Sequence, residues 1–325
     1  LNERMELDLK DRKLLYWLDQ NSRTSNKEIG RKIGLTEQAV GYRIKRLQEK
    51  GVIKHFVPFM NTLRLGYTHY KVFIKLHNTS EETEEKIIKY LSSHSNIRWV
   101  VSMSGKYDIS FSVLALSEKE FMDIYQEIEK KFGRQIIEKN VSIPLDSLGF
   151  TRAYLLNEKR SKEREYKIVE QIEKVDEVDK KILKSLSQDA RKNIVDIAEE
   201  IRTSVSVVKY RLKKLIERKV IESFTLELDL EKLGYEYYSV FIYMHNVTKE
   251  VDNALVQFAQ THPGILYLIR AIGSYDLQLE FEVRNYKELD AMLKEFRKQF
   301  SVHIRDFEVL RVIKEYKYDF YPFEV

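Results

Sequence analysis

Apolar residues recur at helical spacing in three short segments near the start of the chain. Each segment carries one apolar stripe, and polar residues occupy its other positions. This pattern predicts amphipathic helices that each bury one face. The stripes consist of Leu14, Leu15 and Leu18 in the first helix, Ile29 and Ile33 in the second, and Val40, Ile44 and Leu47 in the third.

After residue 53 the pattern changes to strands and helices in the order βαββαβ. Apolar runs predict strands at 68–77, 97–104, 107–114 and 136–143, and helical stripes predict helices at 80–93 and 117–132. This order is that of a ferredoxin-like sandwich, in which helices cover one face of the sheet. The other face is also apolar, so it needs a partner.

The whole pattern occurs twice, displaced by 168 positions. Residues 8–132 and 176–300 align without a gap, and 38 of the 125 aligned positions are identical. Helical repeat arrays have periods of about 20 to 50 residues, so this longer repeat indicates a duplicated pair of domains. We therefore expect the second copy to supply the partner face, with the two sheets packed as a pseudo-dimer within one chain.

Composition narrows the class of protein. The 325 residues include no cysteine, which excludes disulfides, zinc ribbons and thiol nucleophiles. A net charge of +5 permits nucleic-acid binding without requiring it. No apolar run approaches the roughly 18 residues of a membrane-spanning helix. We expect a cytoplasmic protein that makes no membrane contact.

The third helix has the features of a DNA-recognition helix. Gly34-Leu35 forms a tight turn before it, Thr36 caps it, and its polar face carries Gln38, Tyr42 and Lys45. Gln can pair with an adenine edge, Lys with guanine, and flanking Arg with phosphate. An ordinary solvated helix is also polar on its outer face. However, the second copy repeats the same residue types, which favours DNA binding.

The fold class is therefore α+β, with two tandem copies of a winged helix-turn-helix followed by a ferredoxin-like βαββαβ domain. The predicted domains span residues 7–55, 60–150, 175–223 and 228–325, and a charged helical linker covers 151–174. The predicted DNA-binding residues are Thr36, Gln38, Tyr42, Arg43, Lys45 and Arg46 in the first copy, and Ser206, Lys209, Tyr210, Arg211, Lys213 and Lys214 in the second.

The two helix-turn-helix copies differ at their turns. Arg202-Thr203 replaces Gly34-Leu35, Lys219 replaces Gly51, and Glu199-Glu200 replaces Arg31-Lys32. A left-handed turn position without glycine costs about 1 kcal/mol, and two glutamates oppose phosphate. We therefore expect a misplaced turn in the second copy and weaker DNA recognition there.

The half-chain resembles the Lrp/AsnC (feast–famine) family of transcription regulators. The matching residues include Leu7-Asp8, Asp11, Arg23, Leu35-Thr36, Arg43-Ile44, Gly51-Val52-Ile53, Leu65-Gly66-Tyr67 and the Gly-x-Tyr-Asp segment at 105–108. The resemblance implies a sequence-specific regulator of double-stranded DNA, with two protomers of a family homodimer fused in one chain. It also allows further homo-oligomers.

In that family a small effector, often an amino acid, binds where effector domains meet. The resemblance thus implies effector-binding roles for Gly105, Tyr107 and Asp108, and for their counterparts Gly273, Tyr275 and Asp276. The alternative is that Gly-x-Tyr-Asp is only hairpin chemistry, with glycine supplying a positive φ and Asp capping its own turn.

Two other functions compete with DNA-based regulation. Sirohaem decarboxylases resemble this family and use the fold as tetrapyrrole enzymes, but no His, Arg and Tyr cluster for several carboxylates is evident here. A DNA-wrapping architectural role is the second. His77, His94, His245 and His262 lie at predicted element ends, where turn or cap roles are commoner than metal binding. We expect a non-enzyme without a metal or cofactor.

Overall fold

The two halves of the chain contain the same order of helices and strands. The computed structural model describes residues 4–77, 79–156, 163–167 and 171–323. In the first half the elements are α1 (Leu9–Gln20), α2 (Asn26–Ile33), α3 (Glu37–Glu49), β1 (Ile53–Met60), β2 (Thr68–Leu76), α4 (Glu81–Ser93), β3 (Ile97–Ser104), β4 (Ile109–Ala115), α5 (Glu118–Phe132) and β5 (Ile136–Phe150).

A short strand, β6 (Glu163–Lys167), precedes the second half. The elements that follow are α6 (Glu177–Gln188), α7 (Ile194–Glu200), α8 (Val205–Glu217), β7 (Ile221–Leu228), α9 (Leu230–Leu233), β8 (Glu236–Met244), α10 (Lys249–Thr261), β9 (Ile265–Gly273), β10 (Leu277–Val283), α11 (Tyr286–Phe300) and β11 (Ile304–Tyr318). The predicted fold class is confirmed.

The two helix-turn-helix units share one hydrophobic core. Leu14, Leu18 and Val40 of the first unit belong to the same buried cluster as Ile182 and Leu212 of the second. Strands β1 and β7 pair with each other as an antiparallel two-stranded ribbon. Each helix set thus leads into a strand that is held by the strand of the other set.

The two ferredoxin-like sheets join into one closed barrel. The strand order is β2-β4-β3-β11-β8-β10-β9-β5, and β5 pairs back onto β2. Strand β5 pairs with β2 through residues 136–142 and with β9 of the other half through residues 142–149. Strand β11 likewise pairs with β8 and then with β3. Pairing of β5 with β2 closes the ring of strands, and β6 adds to the end of β5 that extends past β2.

The barrel interior is aromatic and contains residues from both halves. The Phe73 and Phe241 rings lie 4.8 Å apart, and the Phe241 and Tyr275 rings stack at 4.2 Å. Helices α4 and α5 cover the outer face of the first sheet, and α10 and α11 that of the second. The predicted intramolecular packing of the two sheets is confirmed, with exchanged strands as an addition.

The predicted helical linker is wrong for the residues that the structure describes. Residues 153–155 form a short 3-10 turn, and Glu163–Lys167 is a strand. This strand pairs with residues 146–150 of β5 because that end of β5 extends past β2 and offers a free side. The other parts of the predicted linker, 157–162 and 168–170, lie outside the described residues.

Candidate nucleic-acid interface and internal cavity

Helix α3 presents the predicted residues on its outer face. The Thr36 hydroxyl accepts a hydrogen bond from the Ala39 amide at 3.2 Å and so begins the helix. Gln38 is exposed, Tyr42 is 69 % exposed, and the Lys45 side chain is 77 % exposed. Apolar spacing on the opposite face, buried against the core, orients these side chains toward solvent.

Helix α8 repeats this arrangement in the second half. Ser204 caps it through a hydrogen bond from the Val207 amide. Ser206, Lys209, Tyr210 and Lys213 are exposed, as is Lys214, which pairs with Glu217 at 2.9 Å. Both third helices therefore offer a tyrosine and a lysine, at positions 168 residues apart, to a ligand outside the protein.

The arginines predicted to contact phosphate form ion pairs within their own domain. Arg43 Nη1 lies 2.7 Å from carboxylate oxygens of both Asp8 and Asp11, and Arg46 Nη2 lies 2.6 Å from Asp11. The Asp11 side chain is 2 % exposed, so it requires these cations as partners. Both arginines thus have carboxylate partners within the domain, and their phosphate contacts stay a prediction.

Arg211 repeats the contact of Arg43 in the second half. Its Nη1 atom lies 2.8 Å from Asp176 and 3.5 Å from Asp179, which are the counterparts of Asp8 and Asp11. Arg211 is therefore also engaged within its domain. The DNA-contact assignments of all these residues stay predictions, and Gln38, the tyrosines and the lysines are the most exposed of them.

The expected misplacement of the second turn is wrong. Arg202 and Lys219 both adopt φ of 55°, close to the 66° of Gly34 and the 67° of Gly51. The left-handed turn is thus kept with side chains that disfavour it. Glu200 does not oppose an external phosphate, because its carboxylate accepts hydrogen bonds from Ser185 at 2.6 Å and from Lys192.

A reciprocal pair of arginines, Arg23 and Arg191, fixes one helix set against the other. Arg23 Nη1 donates to the carbonyl oxygens of Ala190 at 2.6 Å and Lys192 at 2.9 Å. Arg191, its counterpart 168 residues later, donates to the carbonyls of Ser22 and Thr24 in the first half. Burial lowers the pKa of both guanidinium groups. We call this pair the arginine clasp.

The Gly-x-Tyr-Asp segments serve the assembly of the barrel. Asp108 accepts hydrogen bonds from the Leu76 amide and Lys75 Nζ, both at 2.7 Å. Tyr107 is 1 % exposed, and its hydroxyl accepts from Asn140 at 2.6 Å. These contacts leave Asp108 engaged rather than open to an effector ammonium.

The second Gly-x-Tyr-Asp segment is used in the same way. Asp276 accepts from the Met244 amide at 2.7 Å, and Tyr275 is 2 % exposed. Gly273 and Gly105 each lie against the exchanged strand of the other half: a Cβ on Gly273 would approach the Val141 carbonyl oxygen to 2.4 Å, and one on Gly105 would approach the Val309 carbonyl oxygen to 3.1 Å. These contacts agree with the alternative of hairpin chemistry, and an effector-binding role for the six residues stays a prediction.

The repeated histidines lie at element ends. His94 and His262 are the C-cap residues that directly follow α4 and α10. Among the described residues, no group of three His, Asp or Glu side chains has a geometry that could hold a metal ion. No described helix is long and apolar enough to cross a membrane.

A cavity of about 800 Å³ lies between the β1–β7 ribbon and the barrel. Its walls contain pairs of residues related by the 168-residue shift, such as His69 and Tyr237, or Trp99 and Tyr267, so the cavity straddles the pseudo-twofold axis. The members of most pairs differ in chemistry. Sequence reasoning missed this site, although Gln278, Glu280 and Glu282 alternate within an otherwise apolar strand.

Ion pairs line the cavity, and those with Glu227, Glu280 and Glu282 connect the two halves. Lys54 Nζ lies 2.9 Å from Glu227, and Lys71 Nζ lies 3.1 Å from Glu280. Arg152 bridges Glu282 at 2.8 Å and Asp19 at 3.0 Å, and Arg164 lies 3.4 Å from Asp19. The first half supplies the cations of these contacts, and the second half supplies the three glutamates.

Comparison with known proteins agrees with this architecture. A sequence profile described as winged helix-turn-helix DNA-binding matches residues 7–54 and 175–222. LrpB, an HTH-type transcriptional regulator of Bacillus subtilis, is 31 % identical over 132 residues, which cover 41 % of this chain and 87 % of LrpB. LrpA of Pyrococcus horikoshii is 30 % identical over 128 residues, covering 39 % of this chain and 87 % of LrpA.

A solved structure of similar size shares the duplicated fold. The sirohaem decarboxylase NirDL, solved with an iron-uroporphyrin III analogue, covers 95 % of this chain and 93 % of its own chain with a TM-score of 0.62. Its sequence identity of 14 % makes this a likeness of fold alone. The fold and the paired helix sets define a duplicated winged helix-turn-helix protein. The chain belongs to the Lrp/AsnC family.

Proposed function

We propose that this chain is a sequence-specific transcription regulator whose two winged helix-turn-helix units bind one DNA duplex together. The observation that carries the proposal is the pair of matched third helices, each presenting an exposed tyrosine and lysine. Helices presented in this way enter successive major grooves in two-unit DNA-binding proteins. The regulator names of the relatives LrpA and LrpB support the same function.

The arginine clasp and the β1–β7 ribbon fix the spacing of the two units before DNA binds. Preorganisation of this kind reduces the ordering cost of association. The two third helices differ at one exposed position, where Gln38 corresponds to Ser206. Gln can form a bidentate contact with adenine, whereas Ser hydrogen-bonds to several bases. We therefore expect an operator with two similar half-sites that differ at the base beneath this position.

A gel-shift titration with matched variants tests the proposal. The operator is first selected from a random DNA pool at a stated salt concentration. Lys45→Ala and Lys213→Ala should each weaken binding, by about 1–3 kcal/mol if the lysine contacts a base. If it contacts phosphate, the salt slope should fall by about one. Gln38→Ala should relax preference in one half-site only.

Removal of one positive charge at an exposed lysine outside the third helices provides the control. Lys119 lies on α5, away from the third helices, and its ion-pair partner Asp123 is exposed on the same helix. Lys119→Gln should therefore leave the affinity for DNA unchanged. Unchanged affinity for both Lys45→Ala and Lys213→Ala would contradict the DNA-binding role of these helices. Footprint length at several protein concentrations separates local regulation from DNA wrapping.

The cavity chemistry argues against a tetrapyrrole enzyme. Uroporphyrin-type ligands carry several carboxylates and need an excess of unpaired cations. Seven carboxylate and six lysine or arginine side chains line the cavity. Five of the six cations pair with carboxylates, and the sixth, Lys314, is exposed. Absorption spectra of the protein with added iron-uroporphyrin III should therefore show no saturable binding.

A further inference from the structure

Within the part of the chain that the structure describes, the Glu315 carboxylate inside the cavity forms no ion pair with a cation of its own. Its hydrogen-bond partners are the neutral Trp99 indole, whose Nε1 lies 2.7 Å from Glu315 Oε2, and the Glu227 carboxyl, itself an acid. The cation that faces it, Lys54, is already bound to Glu227 at 2.9 Å. Glu315 is thus a carboxyl group in the cavity wall whose negative charge no separate cation balances.

The protonation state of Glu315 follows from this arrangement. Burial and the neighbouring Glu227 carboxylate raise the pKa of Glu315 to about 8, although the hydrogen bond from Trp99 and the charge of Lys54 act against the shift. At neutral pH the carboxyl is mostly protonated. A positively charged ligand placed beside it would restore its ionised form.

Two further polar atoms in the cavity wall can accept a hydrogen bond and have no partner among the described residues. Ser112 is fully buried, and its Oγ has no hydrogen-bond partner within the described residues. The same holds for His69 Nε2. Burial and the charge of Lys71 lower the pKa of His69 to about 3, so this ring stays neutral. Its Nε2 can therefore accept a hydrogen bond from a ligand. Ser112 lies in register with Lys71 and with Trp99 on the adjoining strands.

Aromatic side chains form much of the remaining wall. Trp99 and Tyr237 lie on opposite sheets, and Tyr267 and Tyr318 extend the aromatic surface. Lys71 Nζ lies 5.2 Å from the centre of the Trp99 ring, which shows that the wall already accommodates a cation against an aromatic face. A cavity of this volume and lining is typical of small-molecule sites.

We propose that the cavity binds an organic monoamine. Its ammonium group donates hydrogen bonds to Glu315, Ser112 and His69, and its apolar or aromatic body packs against Trp99 and the tyrosines. An amino acid fits less well, because its carboxylate would enter a cavity whose inner cations are all paired.

The position of the cavity links this ligand to the helix-turn-helix units. The β1–β7 ribbon forms one wall, and its strands follow directly from α3 and α8. A bound amine would contact the ribbon beside Lys54 and Glu227. Amine binding stands on the cavity alone, whereas its use as an effector rests on the proposed function in DNA regulation.

Isothermal titration calorimetry with three probes of matched shape tests the binding proposal. Tryptamine carries the ammonium alone, tryptophan adds a carboxylate, and tryptophol replaces the ammonium with a hydroxyl. We expect saturable binding of tryptamine at pH 7.5, at least tenfold tighter than that of either other probe. Equal or tighter binding of tryptophan or tryptophol would overturn the proposal, as would the absence of tryptamine binding.

Matched variants locate the site. Glu315→Gln should weaken tryptamine binding at least tenfold, while Glu308→Gln should change it less than threefold. Glu308 lies on the same strand but pairs with Lys106 outside the cavity. Unaltered tryptamine affinity in folded Glu315→Gln would overturn the assignment of the ammonium site.

Proton linkage gives a measurement that needs no variant. Ammonium binding should release close to one proton at pH 7, seen as a dependence of the binding enthalpy on buffer ionisation, and affinity should rise toward pH 8. Zero proton release would overturn the role of Glu315. The groups that face this carboxyl in the titration are Glu227, Lys54, Trp99, Tyr237 and Tyr318.

Gel-shift titration with and without tryptamine then separates the two proposals. A change in operator affinity supports the effector role. Tryptamine binding with unchanged operator affinity would remove the effector role but leave the amine site standing. Loss of all DNA binding in the untreated protein would instead contradict the proposed function.

Discussion

The two halves of the chain are alike in the helix-turn-helix region and differ in the cavity. In the former, matching residues make matching contacts: Arg43 with Asp8 and Asp11 corresponds to Arg211 with Asp176 and Asp179. In the cavity, corresponding positions carry different chemistry. Phe59, Ser112 and Ser147 of the first half correspond to Glu227, Glu280 and Glu315 of the second.

This difference shows what a fused chain allows and a homodimer does not. A homodimer places identical residues on both sides of its twofold axis. The pair of Lys71 with Glu280 requires two different sides, because their counterparts are Ser239 and Ser112. The fused chain thus retains the twofold arrangement at its outer helices and loses it in the cavity.

The largest expected effect concerns a buried acid present in one half only. Asp19 is fully buried and accepts hydrogen bonds from Arg152 and Thr225. Asp19→Ala should lower the free energy of unfolding by about 3–5 kcal/mol, because Arg152 and Arg164 lose a buried partner. Urea denaturation measures the change.

Ser187, the counterpart of Asp19, is the matched control. Its hydroxyl donates only to the Lys184 carbonyl of its own helix. Ser187→Ala should therefore change stability by less than about 0.5 kcal/mol. Equal losses from the two variants would contradict the asymmetry of the cavity wall.

Glu315 provides the next largest effect, and it depends on pH. Its pKa of about 8 in the folded protein lies above the 4.5 of an unperturbed glutamate, so the folded state holds the proton more tightly. Stability conferred by that proton is complete below pH 4.5 and is lost as pH rises to 8. Glu315→Gln cannot lose a proton, and its advantage over the wild type should grow by about 1 kcal/mol per pH unit in this window.

Urea denaturation at pH 5, 6.5 and 8 measures this trend. Glu308→Gln, on the same strand but outside the cavity, should show no comparable trend with pH. A stability difference for Glu315→Gln that stays constant from pH 5 to pH 8 would mean that Glu315 titrates normally.

Removing either arginine of the arginine clasp should lower the stability of the protein by a similar amount. Arg23→Ala and Arg191→Ala each remove charged hydrogen bonds to carbonyl oxygens of the other half. We expect each variant to lose about 2 kcal/mol of stability, with values that agree within about 0.5 kcal/mol. Thermal or urea unfolding of the two proteins side by side tests this equality, and a clear inequality would limit the twofold arrangement to the third helices.

The smallest expected effect lies at the turns of the second half. Arg202 and Lys219 occupy left-handed backbone conformations that glycine adopts more easily. Arg202→Gly and Lys219→Gly should each stabilise the protein by about 0.5–1 kcal/mol. Gly34→Ala should have the opposite sign. Melting temperatures of the three variants measure these changes. Lower melting temperatures for both Arg202→Gly and Lys219→Gly would show that the replaced side chains make compensating contacts.

Periodicity was sufficient to predict elements and exposed faces, because both depend on neighbours in sequence. The exposure of Tyr42 and Lys45 followed from the stripe of Val40, Ile44 and Leu47. The second part of β5 was not predicted, since Pro144 lacks an N–H and interrupts the pattern, and its pairing with β9 depends on a distant strand.

Long-range partners explain the other features that the sequence did not predict. The ion pair of Arg43 with Asp11 was not predicted, because the two residues lie 32 positions apart and no sequence pattern links them. The cavity depends on pairs such as Lys71 and Glu280, separated by 209 residues. Such partners become visible only when the sheets close into the barrel.

The exchange of β5 and β11 has a consequence for synthesis of the chain. Strand β3, which ends at Ser104, receives its outer neighbour only when residues 311–318 of β11 have been made. At translation rates of about 5–20 residues per second, the edge of β3 stays unpaired for on the order of 10 to 40 s. An unpaired edge invites association with other chains, so a nascent first half is the stage at which aggregation competes most directly with folding.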